Sequence, residues 1–168
     1  MKYETSITAM DVANHIARLA ASEAVVLDPM KLQKILYYSQ CWYLADTGAA
    51  LFPDRFKAWK WGPVVPSVWH EYSGNEADPK PDQELSQEQR NVVESVWLAL
   101  KDLGSMELSD MTHVSGSAWK KARGDIPDTE PSIAALDPDD MRLEVEGQFS
   151  AGQKWLGDNL DELRRECA

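Results

Sequence analysis

The sequence predicts a mainly α fold, a single compact helical domain over residues 1–168 with one small β-hairpin. Three observations carry that expectation. Helix starts stand out as capping sequences at Thr8, Asp28 and Ser86. The stretch from Met30 to Ala45 is apolar on nearly every side of a helix, the mark of a central helix. Between Leu51 and Pro66 the pattern changes to Trp, Pro and Gly at short spacing, which suits extended chain and turns. A chain of 168 residues has the usual size of one domain, and about 70% of its unfolded surface can be hidden on folding.

Taken in order, Thr8-Ala9-Met10-Asp11 is a capping box, with the Thr8 hydroxyl placed to accept an orphan N–H and Asp11 to answer it. Val12, Ile16, Leu19 and Ala20 follow at helical spacing. Asp28-Pro29 opens the next helix, with Asp at the N-cap and Pro at the first helical position. That helix runs to about Ala45 and ends at Thr47-Gly48. Leu51-Phe52 and 56–61 are expected to pair as a hairpin around Pro53-Asp54-Arg55. In that arrangement Trp59 and Trp61 share one face, and Ala58 and Lys60 the other. Residues 61–66 read as a stiff Gly-Pro connector, and Pro66 opens a helix through Val68, Trp69 and Tyr72.

Residues 73–85 are a loop by composition. Ser86-Gln87-Glu88-Gln89 is a second capping box, leading into Val92, Val93, Val96, Trp97 and Leu100. Short helices are expected at Glu107–His113 and Ser117–Ala122, a loop over 124–136, and a helix opening at Asp137-Pro138. Phe149, Leu156, Leu160 and Leu163 outline a last amphipathic helix.

The net charge of −11 is unevenly placed: residues 1–75 hold seven basic and seven acidic side chains, residues 76–168 ten and twenty-one. Nucleic-acid binding draws its affinity from Lys and Arg neutralising phosphates, and this distribution offers no basic stripe. An acidic half keeps a protein in solution or steers a basic partner. No run approaches the ~20 apolar residues that cross a bilayer, and the amino terminus does not read as a signal peptide. Cys41 and Cys167 lie far apart, which fits a reducing compartment, the cytoplasm.

The residues of catalysis are sparse. His15, His70 and His113 are the three histidines. His70 and Glu71 point apart on a helix, and Asp110, His113 and Ser115 lack a nucleophile elbow. No metal-ligand spacing appears, and Asp137, Asp139 and Asp140 suit a helix start better than a metal. Gly116 and Gly147 stand alone, so there is no phosphate loop. The expectation is a protein without cofactor or metal that is not an enzyme.

Three segments carry a resemblance. The first is Asp11 to Ile16 followed by Met30 to Gln40, with its Lys-Leu-Gln-Lys-Ile-Leu-Tyr-Tyr core. The second is Leu51-Phe52 and then Ala58-Trp59-Lys60-Trp61-Gly62-Pro63-Val64-Val65-Pro66-Ser67-Val68-Trp69. The third is Thr112-His113, Ala118-Trp119 and Ala122-Arg123. Together, over about 10–125, they resemble the Panacea domain of SocA-like antitoxins and of phage- and mobile-element-associated proteins. Ala118 departs from the Pro that the family often has there. The resemblance implies a mostly helical antitoxin that binds and neutralises a protein toxin encoded by an adjacent gene. In the SocA branch it also implies delivery of the toxin to a ClpXP-type protease. The alternative is a non-enzymatic adaptor or scaffold of a phage or mobile element without a toxin partner.

Candidate partner-binding residues are Lys31, Lys34, Tyr38, Trp59, Trp61, Pro63, Val64, Pro66, Trp69, His113 and Trp119. The bland role of Lys31 and Lys34 is to pack their stems along a core helix and keep the ammonium groups in water. Trp59, Trp61 and Trp69 flank the connector, where they serve either as interface anchors, since interface energy concentrates in Trp, Tyr and Arg, or as locks holding the hairpin on the helices.

Overall fold

The structure, a computed structural model, describes residues 6–73 and 83–146. The expected last helix through Phe149 and Leu163, and most of the loop at 73–85, lie outside the described residues. Within them the elements run α1 (Ala9–Ser22), α2 (Pro29–Thr47), β1 (Lys57–Trp59), β2 (Gly62–Val64), α3 (Pro66–Tyr72), α4 (Gln87–Leu100), α5 (Ser105–Thr112), α6 (Ala118–Arg123) and α7 (Pro138–Glu146). The architecture is mainly α with one small antiparallel sheet.

The caps form as the sequence predicts. The Thr8 hydroxyl accepts from Asp11 N at 3.2 Å while the Asp11 carboxylate accepts from Thr8 N at 2.8 Å. Ser86 and Gln89 make the same reciprocal pair, and Asp28 caps α2 by accepting from Lys31 N at 2.8 Å. Gly48 ends α2 in the left-handed conformation at φ 75°, where a glycine carries no Cβ penalty.

Every residue from Lys31 to Cys41 is buried, and α2 is touched by α1, α3, α4, α5, α7 and β2. A helix enclosed on all sides has to be apolar all round, and α2 is the axis on which the other elements assemble. Its two glutamines, seven residues apart and so on one face, are exceptions with a purpose. Gln40 accepts from Leu51 N at 2.7 Å and donates to Phe52 O at 2.9 Å. Gln33 does the same to Val65, at 2.9 and 3.3 Å.

That use of Gln40 explains a correction. Leu51 and Phe52 do not pair with 56–61, because a side chain already satisfies their backbone. The hairpin instead joins β1 to β2, with Lys57 opposite Val64, Ala58 opposite Pro63 and Trp59 opposite Gly62. The expected stiff connector is therefore partly a strand, and Trp61 sits in the turn instead of sharing a strand face with Trp59. On its other edge β1 is joined by the chain entering α7: Ala58 N donates to Ala134 O at 2.8 Å, and Leu136 N to Phe56 O at 2.9 Å. The stretch at 124–136, expected as loop, thus ends with a bridge between Ala135 and Lys57.

Candidate protein-docking site

The hairpin is held from beneath by side chains that reach its backbone. Arg123 Nη1 donates to Ala58 O at 2.9 Å, Trp119 Nε1 to Trp59 O at 2.7 Å and Ser109 Oγ to Trp61 O at 2.7 Å. His113 Nε2 lies 3.1 Å from Lys60 O, Lys34 Nζ donates to Pro63 O at 3.3 Å, and Gln33 holds both polar groups of Val65. Six carbonyls between 58 and 65 are thus engaged by side chains of α2, α5 and α6 and of His113 just after α5. Buried backbone groups need such partners, and a two-stranded hairpin has too few of its own.

Gly62 marks the closest approach. Its φ is 121°, and a Cβ there would meet Lys34 Cε at 2.5 Å, Lys34 Nζ at 2.9 Å and Thr112 Oγ1 at 2.9 Å. Only glycine fits both the backbone angle and the space.

Lys34 corrects an expectation. Its side chain is fully buried, so its ammonium is not held in water. Burial disfavours the charged form and lowers its pKa from 10.5 to about 7, with Asp28 opposing the fall. Lys31 is also buried, its Nζ donating to Lys101 O. Tyr38 and Trp119 are buried as well, and the His113 ring lies against Trp119, tilted by 52° with ring centroids 3.9 Å apart. Pro63 lies buried in β2, and Pro66 is the first residue of α3. Lys31, Tyr38, Pro63, His113 and Trp119 therefore belong to the support of the hairpin and the core.

Apart from Pro66, the remaining candidates come together. Lys34, Trp59, Trp61, Val64 and Trp69 line one groove of about 310 Å³, with Met30, Gln33, Lys60 and residues 131–133 completing it. Trp59 and Trp69 meet edge to face with centroids 6.1 Å apart. Trp61 is 53% exposed and Ile133 83% exposed, unusual for large apolar side chains. Sequence reasoning missed Met30, Lys60 and Ile133 as lining, and Gln33, Ser109 and Arg123 as clamps. The two glutamines inside an apolar helix were the available signal for one clamp, whereas Ile133 in a loop gave none.

A second polar cluster lies where α7 meets α2. Glu144 accepts from Tyr37 Oη at 3.1 Å and from Ala118 N at 2.8 Å through Oε1, while its buried Oε2 has no hydrogen-bond partner among the described residues. Burial raises its pKa from 4.5 to about 7, against the pull of those hydrogen bonds. Burial also pushes the Cys41 thiol and the Tyr37 hydroxyl well up, so this cluster holds no ready nucleophile. Among the described residues no group of three or more His, Cys, Asp and Glu could hold a metal, and no helix is long and apolar enough to cross a membrane.

Compared with known proteins, residues 32–120 match the family described as antitoxin SocA-like, Panacea domain. The chain is 28% identical over 134 residues to Antitoxin SocA of Caulobacter vibrioides (strain NA1000 / CB15N), an alignment covering 68% of this chain and 69% of that protein. No solved structure matches. The matched stretch contains the hairpin, both strand-holding glutamines and all the clamping residues except Arg123.

Proposed function

Because the chain belongs to the SocA-like antitoxin family built on the Panacea domain, we propose that it neutralises a protein toxin, encoded by an adjacent gene, by direct contact through the tryptophan groove. The role needs no catalysis, cofactor or metal, and it places the protein in the cytoplasm beside its toxin. The observation that carries the reading is Trp61: more than half exposed at the tip of a hairpin whose backbone is clamped from three helices. Rigid aromatic anchors lose little freedom on binding, and truncating one commonly costs 2 kcal/mol or more at an interface. Trp59, Val64 and Trp69 complete the contact surface. Delivery of the bound toxin to a ClpXP-type protease is a further part of the proposal, resting on the family alone.

The test is colony formation with the adjacent open reading frame induced, with and without this protein co-expressed. Growth arrest relieved by the wild type and not by Trp61→Ala supports the reading. Relief by Trp61→Ala equal to wild type removes the groove from it. A harmless neighbour removes the toxin and leaves a non-enzymatic adaptor. Toxin half-life with and without the protease would decide the delivery step.

A further inference from the structure

The groove is a local exception to the charge of the molecule. The chain carries −11 overall, yet the groove lining includes Lys34 and Lys60 and no acidic residue. Lys60 is exposed at the turn, its Nζ 5.2 Å from the centre of the Trp61 ring. Among the described residues no ion pair engages Lys34 or Lys60. Elsewhere lysines do find carboxylates, as half-buried Lys120 finds Asp128 at 2.6 Å and exposed Lys121 finds Asp140 at 3.5 Å. Among the described residues, the mouth of the groove therefore keeps a cation without a carboxylate partner beside its most exposed aromatic ring.

We infer that the groove receives a segment of the protein partner in which an apolar side chain stands beside a carboxylate. The apolar group packs among Trp59, Trp61, Trp69 and Ile133, and the carboxylate meets Lys60 at the mouth. This rests on the docking reading above and adds the chemistry of what docks. A volume of about 310 Å³ is at the small end of ligand pockets and suits a side chain or two. The charge pairing gives register and discrimination more than affinity: a basic segment is rejected by Lys60 at the mouth.

The test is selection of random twelve-residue peptides displayed on phage against the full chain, with Trp61→Ala as counter-screen. Enriched sequences are expected to carry Leu, Phe or Trp within two positions of Asp or Glu. For a synthetic peptide so selected, Glu→Gln in the peptide or Lys60→Gln in the protein should weaken binding roughly three- to fivefold, as an exposed ion pair allows. Lys60→Glu, at an exposed position that leaves folding unchanged, should turn the selection toward basic sequences. Trp61-dependent peptides without acids, or binding indifferent to Lys60→Glu, overturn the inference while leaving the docking reading intact. So does a concentration-dependent dimer that Trp61→Ala abolishes, since a second copy would then fill the groove. Failure of the docking reading shows elsewhere, in neutralisation that survives Trp61→Ala.

Discussion

Around the hairpin the chain is held by side chains bonded to backbone, whereas along α4 it is held by apolar packing. Gln33, Lys34, Ser109, Trp119 and Arg123 each grip a particular carbonyl. On α4 the work falls to Val92, Val93, Val96 and Leu100, all buried. Packing accepts any side chain of about the right volume, but a hydrogen bond to a fixed carbonyl accepts few. The difference accounts for where the sequence motifs lie: the three resembling segments cover the hairpin and its clamps other than Ser109, and none falls on α4.

The sharpest break of that contrast is Gly62→Ala. It combines a left-handed φ with a Cβ 2.5 Å from Lys34 Cε, and should cost about 3 kcal/mol or more, read as a lowered urea midpoint. Next is Gln33→Leu, which keeps volume but strips Val65 N of its partner, while Val65 O keeps the Val68 and Trp69 amides. Leaving that buried N–H unpaired should cost about 1–3 kcal/mol. Leu100→Met, the matching swap on α4, should cost under about 1.5 kcal/mol. Equal losses for Gln33→Leu and Leu100→Met would erase the distinction between the two sides.

The same contrast sets what was legible beforehand. Caps at Thr8, Asp28 and Ser86 are local, four-residue arrangements, so their letters sufficed. The central helix was legible because enclosure demands an apolar residue at nearly every position. The strand pairing was missed because its deciding contact is between Gln40 and Leu51-Phe52, a side chain that satisfies a strand before another strand can. Trp59, Trp61 and Trp69 were recognisable as candidates from their density. That Trp119 is a clamp and Trp61 an exposed tip depends on tertiary position, which spacing does not encode.

Two buried ionisable groups sharpen the comparison through pH. Lys34 under the hairpin has its pKa lowered to about 7. Between about 7 and 10.5 the unfolded chain binds this proton and the folded chain does not, so its contribution rises with pH. Glu144 under α7 has its pKa raised to about 7. Between 4.5 and about 7 the folded chain binds the proton and the unfolded chain does not, so its contribution falls as pH rises. Relative to Lys34→Met, the wild type should gain stability from pH 7 to pH 10. Relative to Glu144→Gln, it should lose stability from pH 4.5 to pH 7. Denaturant midpoints across these windows read both slopes, and a flat difference in either would mean that the group keeps its ordinary pKa when folded.

The smallest expected effect on stability is the most informative about function. Trp61 is 53% exposed, and what holds the turn is its carbonyl, through Ser109, not its ring. Alanine keeps that carbonyl. Trp61→Ala should therefore change the melting temperature by no more than an ordinary surface substitution, within about 0.5 kcal/mol, while abolishing partner capture. A large fall in melting temperature would make the indole part of the hairpin's support, like Trp119, and the groove would lose its anchor. An unchanged melting temperature with lost neutralisation would show that the clamps exist to present a side chain that the fold itself does not need.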